Sequence, residues 1–271
     1  SGIGPAAVLQ SHGIAVQHDL AGVGENLQDH FNTYIPYRCA KPVTANDLAI
    51  SLRRRLMAGA QYLLFGKGMM ANTGVHAGAF VRSDPSLERP DLQMNFLPWG
   101  TKGRTAAGVE VYPFSAFCIS PVHLRPEGRG QVRLKSPDPL AAPAIHYEFL
   151  KTEYDRRAIL YGVRLAREIA RQAALAGYTL GEITPGADVT DDEGLLEDVR
   201  NRAVANYHPV GTCRMGVGND AVVDPGLRLH GIDGLRVADA SIMPMIPAGN
   251  TNAPSIMIGE KCAAMVLEDA M

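Results

Sequence analysis

Two short stretches near the end of the chain hold the residues best suited to chemistry. They are Asn206-Tyr207-His208-Pro209-Val210-Gly211-Thr212-Cys213-Arg214-Met215-Gly216 and Gly249-Asn250-Thr251-Asn252-Ala253-Pro254. The first offers a base, the second an amide. An imidazole with an ordinary pKa of about 6.5 can take a hydroxyl proton at neutral pH. Pro209 steers the backbone of His208 away from helix, so the ring is presented from a loop that follows a predicted helix over 190–204. A histidine by itself is more often structural than catalytic, and it is the stretch around His208 that sets it apart. An amide NH₂ such as that of Asn252 can donate to an oxygen as negative charge grows there, and it has no charge of its own to titrate. Asn252 would serve equally well as the cap of a helix starting near Pro254; one side chain can do both.

Two further stretches complete the pattern: Ser1-Gly2-Ile3-Gly4-Pro5 and Gly22-Val23-Gly24-Glu25-Asn26-Leu27-Gln28-Asp29-His30. Together the four closely resemble the glucose-methanol-choline (GMC) family of FAD-dependent alcohol oxidoreductases, in particular its choline and alkanol dehydrogenase branch. The resemblance runs from the first residue to the last. It implies an α/β fold with α+β character in the middle. Residues 1–30 would be part of an FAD-binding, Rossmann-like domain, 31–205 a mixed-sheet substrate domain, and 206–271 a return to the FAD-binding domain. No G-x-G-x-x-G occurs in residues 1–271, whereas the family carries that turn in its N-terminal half. The chain therefore reads as a C-terminal half, its N-terminal half being either lost or a separate partner.

The resemblance also assigns roles. The family's second catalytic group, a histidine or an asparagine, matches Asn252, 44 residues beyond His208. The start of the last helix would stabilise charge on a reduced flavin through the backbone of Ser255 and Ile256. Asp239 and Ala240 match an Asp-Ala pair that lies against the ribityl and diphosphate part of FAD, although Asp239 could simply cap a strand end. Asn26, Asp29 and His30 have no evident chemistry and read as loop braces. Gly22-Val23-Gly24 is a weak phosphate signal, lacking both a third glycine and a following helix.

Composition narrows the classes. With 46% hydrophobic residues and a net charge of −2, the chain can bury a substantial core and has no electrostatic footprint for nucleic acid. The basic run Arg53-Arg54-Arg55 reads as a solvated helix face. The four cysteines, Cys39, Cys118, Cys213 and Cys262, have no metal-ligand spacing and read as reduced thiols of a cytosolic protein. No metal is expected. No run reaches the roughly 20 apolar residues of a membrane helix; the most apolar stretch, 253–267, reads as a buried helix. The location expected is cytoplasmic, with peripheral membrane association left open.

Periodicity supplies the elements that must position these groups. Pro5 opens a short helix that stops at Gly13, followed by a strand at 14–16. Residues 131–135 alternate as a strand closed by Pro137-Asp138-Pro139. Thr152 with Asp155, and Thr190 with Glu193, mark two helix starts. Residues 227–229 and 235–238 read as strands around Asp233-Gly234.

The reaction the resemblance implies is oxidation of a primary alcohol to an aldehyde, hydride going to flavin N5, with a small-molecule alcohol as substrate and an unidentified electron acceptor. His76 lies near a position that holds a carboxylate in choline-recognising relatives, and a neutral imidazole would hold trimethylammonium poorly. Tyr34, Tyr37, Phe96 and Trp99 are candidates for an aromatic cage. An uncharged alcohol is favoured. The alternatives are a hydroxynitrile-lyase-like protein with redox-neutral chemistry, and a catalytically silent fragment or subunit.

Overall fold

Ala116–His123 is an eight-residue strand buried along its whole length. A strand buried on both faces belongs at the centre of a sheet. In the computed structural model, which describes residues 1–105 and 108–270, it pairs antiparallel with Ile35–Cys39, with Leu92–Leu97 and with Phe31–Asn32. Thr179–Glu182 extends the seven-stranded sheet beside Ile35–Cys39, and Ala77–Val81 extends it beside Leu92–Leu97. Phe31, Ile35, Leu92 and Ile119 are fully buried there.

The helix Glu153–Arg171 packs on this sheet through Ile159, Val163, Ala166 and Ala170. Gly162 permits the approach, because a Cβ at that position would lie 2.6 Å from Cβ of Pro121. The capping box forms as expected: Asp155 N–H donates to Thr152 Oγ1 at 3.2 Å, and Thr152 N–H to Asp155 Oδ2 at 3.5 Å. Arg167, on the same helix, forks onto Glu182 at 2.8 and 2.9 Å and also donates to the carbonyls of Val189 and Gly186. The helix Asp192–Arg202 is capped by Asp191, whose carboxylate accepts from Gly194 N–H. That is one residue later than the Thr190 start: Asp191 is the better acceptor at the capping position.

The chain divides into two units. One comprises residues 31–123 and 156–204 and contains the sheet; the other comprises 1–30, 124–155 and 205 onward. Residues 124–155 thus group with the two ends of the chain, where the sequence pattern suggests one continuous middle segment from 31 to 205. Pairing explains the grouping: Leu27 and Gly130 exchange backbone hydrogen bonds at 2.9 Å, and Val132 N–H donates to Gly24 O at 2.7 Å. The second unit has little regular structure around its core of Leu20, Val210, Val222, Val223, Leu227, Leu229, Ile242, Met243, Ile246 and Ile258. Ile3–Gly4 pairs parallel with His18–Asp19, and Gln131–Arg133 antiparallel with Ala144–His146.

Several expected elements differ. No strand forms at 14–16; the pairing falls at His18–Asp19. Residues 227–229 and 235–238 meet only through single bridges such as Arg228 with Arg236. Leu227 adopts φ +64, a left-handed backbone that interrupts a ladder. The last helix spans Asn252–Asp269, two residues ahead of Pro254, and only Ile258 in it is buried. Ile256, Met257, Val266 and Leu267 are exposed, so this helix is apolar but not buried among the described residues.

Candidate active site

The site is assembled by the segment Asn26-Leu27-Gln28-Asp29-His30. Gln28 and Val210 exchange both backbone hydrogen bonds, at 3.0 and 2.9 Å, and Asn206 N–H donates to His30 O at 2.8 Å. These bonds lay 206–210 antiparallel beside 28–30. Between them, the backbone N–H of His208 donates to Asp29 Oδ1 at 2.9 Å. Tyr207, just before, has φ +59, a costly conformation for a bulky residue that a tight local network must hold.

The same segment also holds the 244–250 loop. The side chain of Gln28 donates to Pro244 O and accepts from Ile246 N–H, and Asn26 donates to both Gly211 O and Pro244 O. His30 Nε2 lies 3.0 Å from Pro247 O. The glycines nearby serve this crowding. A Cβ on Gly24, at φ +83, would come within 2.4 Å of Val132 O, and one on Gly22 within 2.3 Å of Asp220 O. Their role is close backbone crossing, which accounts for Gly22-Val23-Gly24 without a phosphate.

His208 sits half-buried at the meeting of these loops. Its Nδ1 is 3.0 Å from Nδ1 of His30, the rings edge to face, and its Nε2 is 3.2 Å from the amide nitrogen of Asn250. Burial pulls its pKa below the usual histidine value, which favours the neutral ring a base needs. Asp29 is 1% exposed, and burial raises its pKa despite hydrogen bonds that act the other way, the first of them from the His208 backbone. Its second oxygen accepts from Tyr147 OH at 3.2 Å, and burial together with Asp29 pushes that phenol up to about 12.

The structure brings His208 and the 249–254 segment together, but through Asn250. Asn252 is the first residue of the last helix and its side chain is exposed; the cap is Thr251, which makes no side-chain capping bond. The N–H of Ser255 is taken by Thr251 O at 3.0 Å, and Ile256 lies a full turn into the helix, where its N–H faces Asn252 O. The N–H groups outside the ladder at this end are therefore those of Asn252 and Ala253, since Pro254 has none. Asp239 caps a turn: its carboxylate accepts from Ser241 N–H at 2.7 Å, ahead of the 3₁₀ turn Ala240–Ile242. In the sheet-bearing unit, Tyr37 and Phe96 each stack on Phe117, Tyr34 lies 6.2 Å from Trp99, and His76 is exposed. Tyr37 is thus core. Among the described residues no His, Cys, Asp and Glu group could hold a metal, and no helix is long and apolar enough to cross a membrane.

Sequence reasoning missed Asn250 and His30. Asn250 stands in the same short stretch as Asn252, but only the fold of the loop reveals which of the two asparagines meets His208.

The arrangement is thus a loop-borne, half-buried imidazole beside an amide in a mixed α/β chain. The chain belongs to the GMC oxidoreductases, whose family model matches residues 126–259. It is 44% identical to the oxygen-dependent choline dehydrogenase of Pseudomonas fluorescens (strain SBW25) over 263 residues, 97% of this chain and 46% of that protein. The corresponding protein of Pseudomonas aeruginosa (strain LESB58) is 43% identical over the same share. Among solved structures, pyridoxine 4-oxidase from Mesorbium loti matches with a TM-score of 0.80 at 28% identity, covering 97% of this chain and 47% of that one. A variant of the Aspergillus oryzae formate oxidase matches with a TM-score of 0.85 at 26% identity, covering 99% and 51%. The chain thus spans about half the length of the relatives it matches.

Proposed function

We propose that this chain forms part of an FAD-dependent oxidoreductase that converts a primary alcohol to an aldehyde, with His208 taking the hydroxyl proton at Nε2. The observation that carries the reading is the neutral-favouring, half-buried ring of His208 with its Nε2 at a donor amide. An alcohol O–H arriving at Nε2 replaces the Asn250 amide as donor, so the resting contact already has the polarity the substrate needs. Asn252, exposed at the helix start, donates to the substrate oxygen as charge develops.

The donor set suits a flavin. The N–H groups of Asn252 and Ala253, at the positive end of an 18-residue helix, would hold the electron-rich edge of the ring. Asp239 and Ala240 would border the ribityl and diphosphate part. When bound, FAD supplies the acceptor for the hydride. On this reading residues 1–30 and 206–271, with 124–155, belong to the cofactor-binding part, and the sheet-bearing unit to the substrate part.

The substrate class is a small primary alcohol. Relatives named as choline dehydrogenases support choline, while a histidine, His76, near the family's carboxylate position supports an uncharged alcohol. The test is anaerobic mixing of the protein, expressed at the length of its relatives and loaded with FAD, with choline in one arm and an uncharged primary alcohol in the other. Bleaching of the flavin in either arm supports the reading and selects the class. An unbleached flavin in both arms, across a panel of primary alcohols, overturns it.

A further inference from the structure

We propose that His30 is a positioning residue that fixes the tautomer of His208, so that the lone pair of the base lies on Nε2. Pro247 sets the direction. Its carbonyl oxygen can only accept, so the His30 nitrogen facing it at 3.0 Å, Nε2, carries the hydrogen. A neutral His30 then has its lone pair on Nδ1. That atom faces Nδ1 of His208 at 3.0 Å, and one of the two must donate, so His208 carries its proton on Nδ1. Its Nε2 is left as the acceptor. The other end of the row agrees independently, because the Asn250 amide nitrogen at 3.2 Å can only donate.

From the Pro247 carbonyl to the Asn250 amide, the row has one consistent direction. It also has a dead end. Pro247 O cannot carry a proton away, so when Nε2 of His208 takes the hydroxyl proton, the ring becomes an imidazolium whose Nδ1–H still donates to His30. His30 holds the base and does not relay the proton. The surroundings of His30 suit a fixed support. The residue is 1% exposed, its backbone carbonyl accepts from Asn206 N–H, and both ring nitrogens are engaged. Its neighbour Asp29 fixes the His208 backbone while His30 fixes the ring. The two residues together set position and tautomer, as a second partner commonly does for a functional imidazole.

This inference rests on His208 being the base proposed above, but its test does not depend on the flavin. Nitrogen-15 NMR of the histidine-labelled chain reads which ring nitrogen of His208 is protonated, with His208→Gln identifying its signals. The expected spectrum has Nδ1 as the N–H and Nε2 as the bare nitrogen. In His30→Ala the balance should move toward protonation at Nε2, the tautomer a free imidazole side chain prefers. His30→Asn should restore the original form, since its amide oxygen can occupy the place of Nδ1. In the FAD-loaded protein at relatives' length, the flavin-reduction rate should fall in His30→Ala in proportion to the fraction of His208 left in the original form, with alcohol affinity unchanged. A wild-type His208 protonated at Nε2 overturns the proposal without any variant. So does a tautomer balance unmoved in a folded His30→Ala. If the tautomer stands and no alcohol bleaches the flavin, it is the functional reading that fails, and the positioning remains.

Discussion

The carboxylate of Asp29 accepts the backbone N–H of His208 at 2.9 Å and, through its other oxygen, the hydroxyl of Tyr147 at 3.2 Å. A side chain 179 residues away in sequence thus sets the height at which the candidate base leaves its loop. Removing the acceptor by Asp29→Ala leaves a part-buried N–H unsatisfied, and the expected loss is about 1–3 kcal/mol of stability. Asp29→Asn keeps an oxygen for that N–H and should cost less. Because burial raises the folded-state pKa of Asp29, the folded protein holds this proton more tightly than the unfolded one. Its stability contribution is therefore full below the ordinary carboxylate value and is lost as pH rises through the raised one. Denaturant titrations at a series of pH values should show that loss in the wild type and its absence in Asp29→Asn; an identical pH dependence in both would remove Asp29 as the titrating group.

The pKa of His208 moves the other way, below its ordinary value, through burial. The base form consequently persists to lower pH than an exposed histidine would allow. The rate of flavin reduction in the loaded protein should stay level as pH falls past about 6.5 and drop only through the lowered value. The folding contribution has the matching sign: stability present above the unfolded pKa is lost as pH falls through the folded one. His208→Ala should slow reduction by roughly 10²–10⁴-fold with a much smaller change in alcohol affinity. Stopped-flow reduction across pH tests both, and a near-normal rate in His208→Ala would point to another base.

Gly24 gives a purely structural prediction. Its backbone is at φ +83 and a Cβ would meet Val132 O at 2.4 Å, so Gly24→Ala combines a strained backbone with a clash against atoms that cannot rotate away. The cost should be about 3 kcal/mol or more, seen as a lower urea midpoint with little change in slope. A change below about 1 kcal/mol would mean that the crossing of 22–24 with 132 yields easily to a methyl group.

Arg167 and Glu182 form a forked pair, 9% and 5% exposed at their side chains, which joins the helix Glu153–Arg171 to the strand Thr179–Glu182. Arg167→Ala strands a buried carboxylate and should cost about 3–5 kcal/mol. Arg167→Lys should recover only part of this, because an ammonium cannot form the fork or reach the carbonyls of Gly186 and Val189 as well. Thermal denaturation of the two variants and of Arg167→Met with Glu182→Leu measures it, and equal losses in Ala and Lys variants would assign the effect to packing alone.

What can be read from the sequence divides along the range of the interactions. The helix Glu153–Arg171 is legible because Thr152, Asp155 and the apolar stripe lie within a few turns of one another. His208 stands out as a candidate through the resemblance of the stretch around it to the family's, not through any local physical signal of its own. The strands at 227–229 and 235–238 are not, since the left-handed backbone of Leu227 breaks a ladder that composition favours. His30 looks like a loop brace, and nothing within its neighbourhood in sequence signals a partner 178 residues away. The last helix reads as buried yet is largely exposed among the described residues, because hydropathy reports which surface is apolar and not which surface is covered.

The cofactor meets a related shortfall. With no G-x-G-x-x-G turn in the chain, the pyrophosphate of FAD lacks its usual seat at a helix N-terminus. The 271-residue chain alone should retain little FAD and emerge colourless from gel filtration. Stoichiometric yellow cofactor after that step would show that the groups around Asp239 and Asn252 suffice.

Asn250 and Asn252 lie two residues apart and should behave differently. The amide of Asn250 donates to His208 Nε2 at rest, where on the proposed reading the alcohol hydroxyl would arrive, so it would compete with substrate. Asn250→Ala should tighten alcohol binding by about 1 kcal/mol, the worth of one neutral hydrogen bond, with little change in the limiting reduction rate. On the proposed reading Asn252, exposed at the helix start, would donate to the oxygen only as alkoxide character develops. Asn252→Ala should therefore cost about 2.7–4 kcal/mol in the reduction step, and Asn252→His should retain part of the rate. A helix-cap role would instead cost about 1 kcal/mol of stability and little rate, and the cap in this structure is Thr251. Anaerobic reduction rates and alcohol affinities of the three variants separate these roles. A large rate loss in Asn250→Ala, with Asn252→Ala near wild type, would reverse the assignment and make the residue already touching His208 the oxygen's partner.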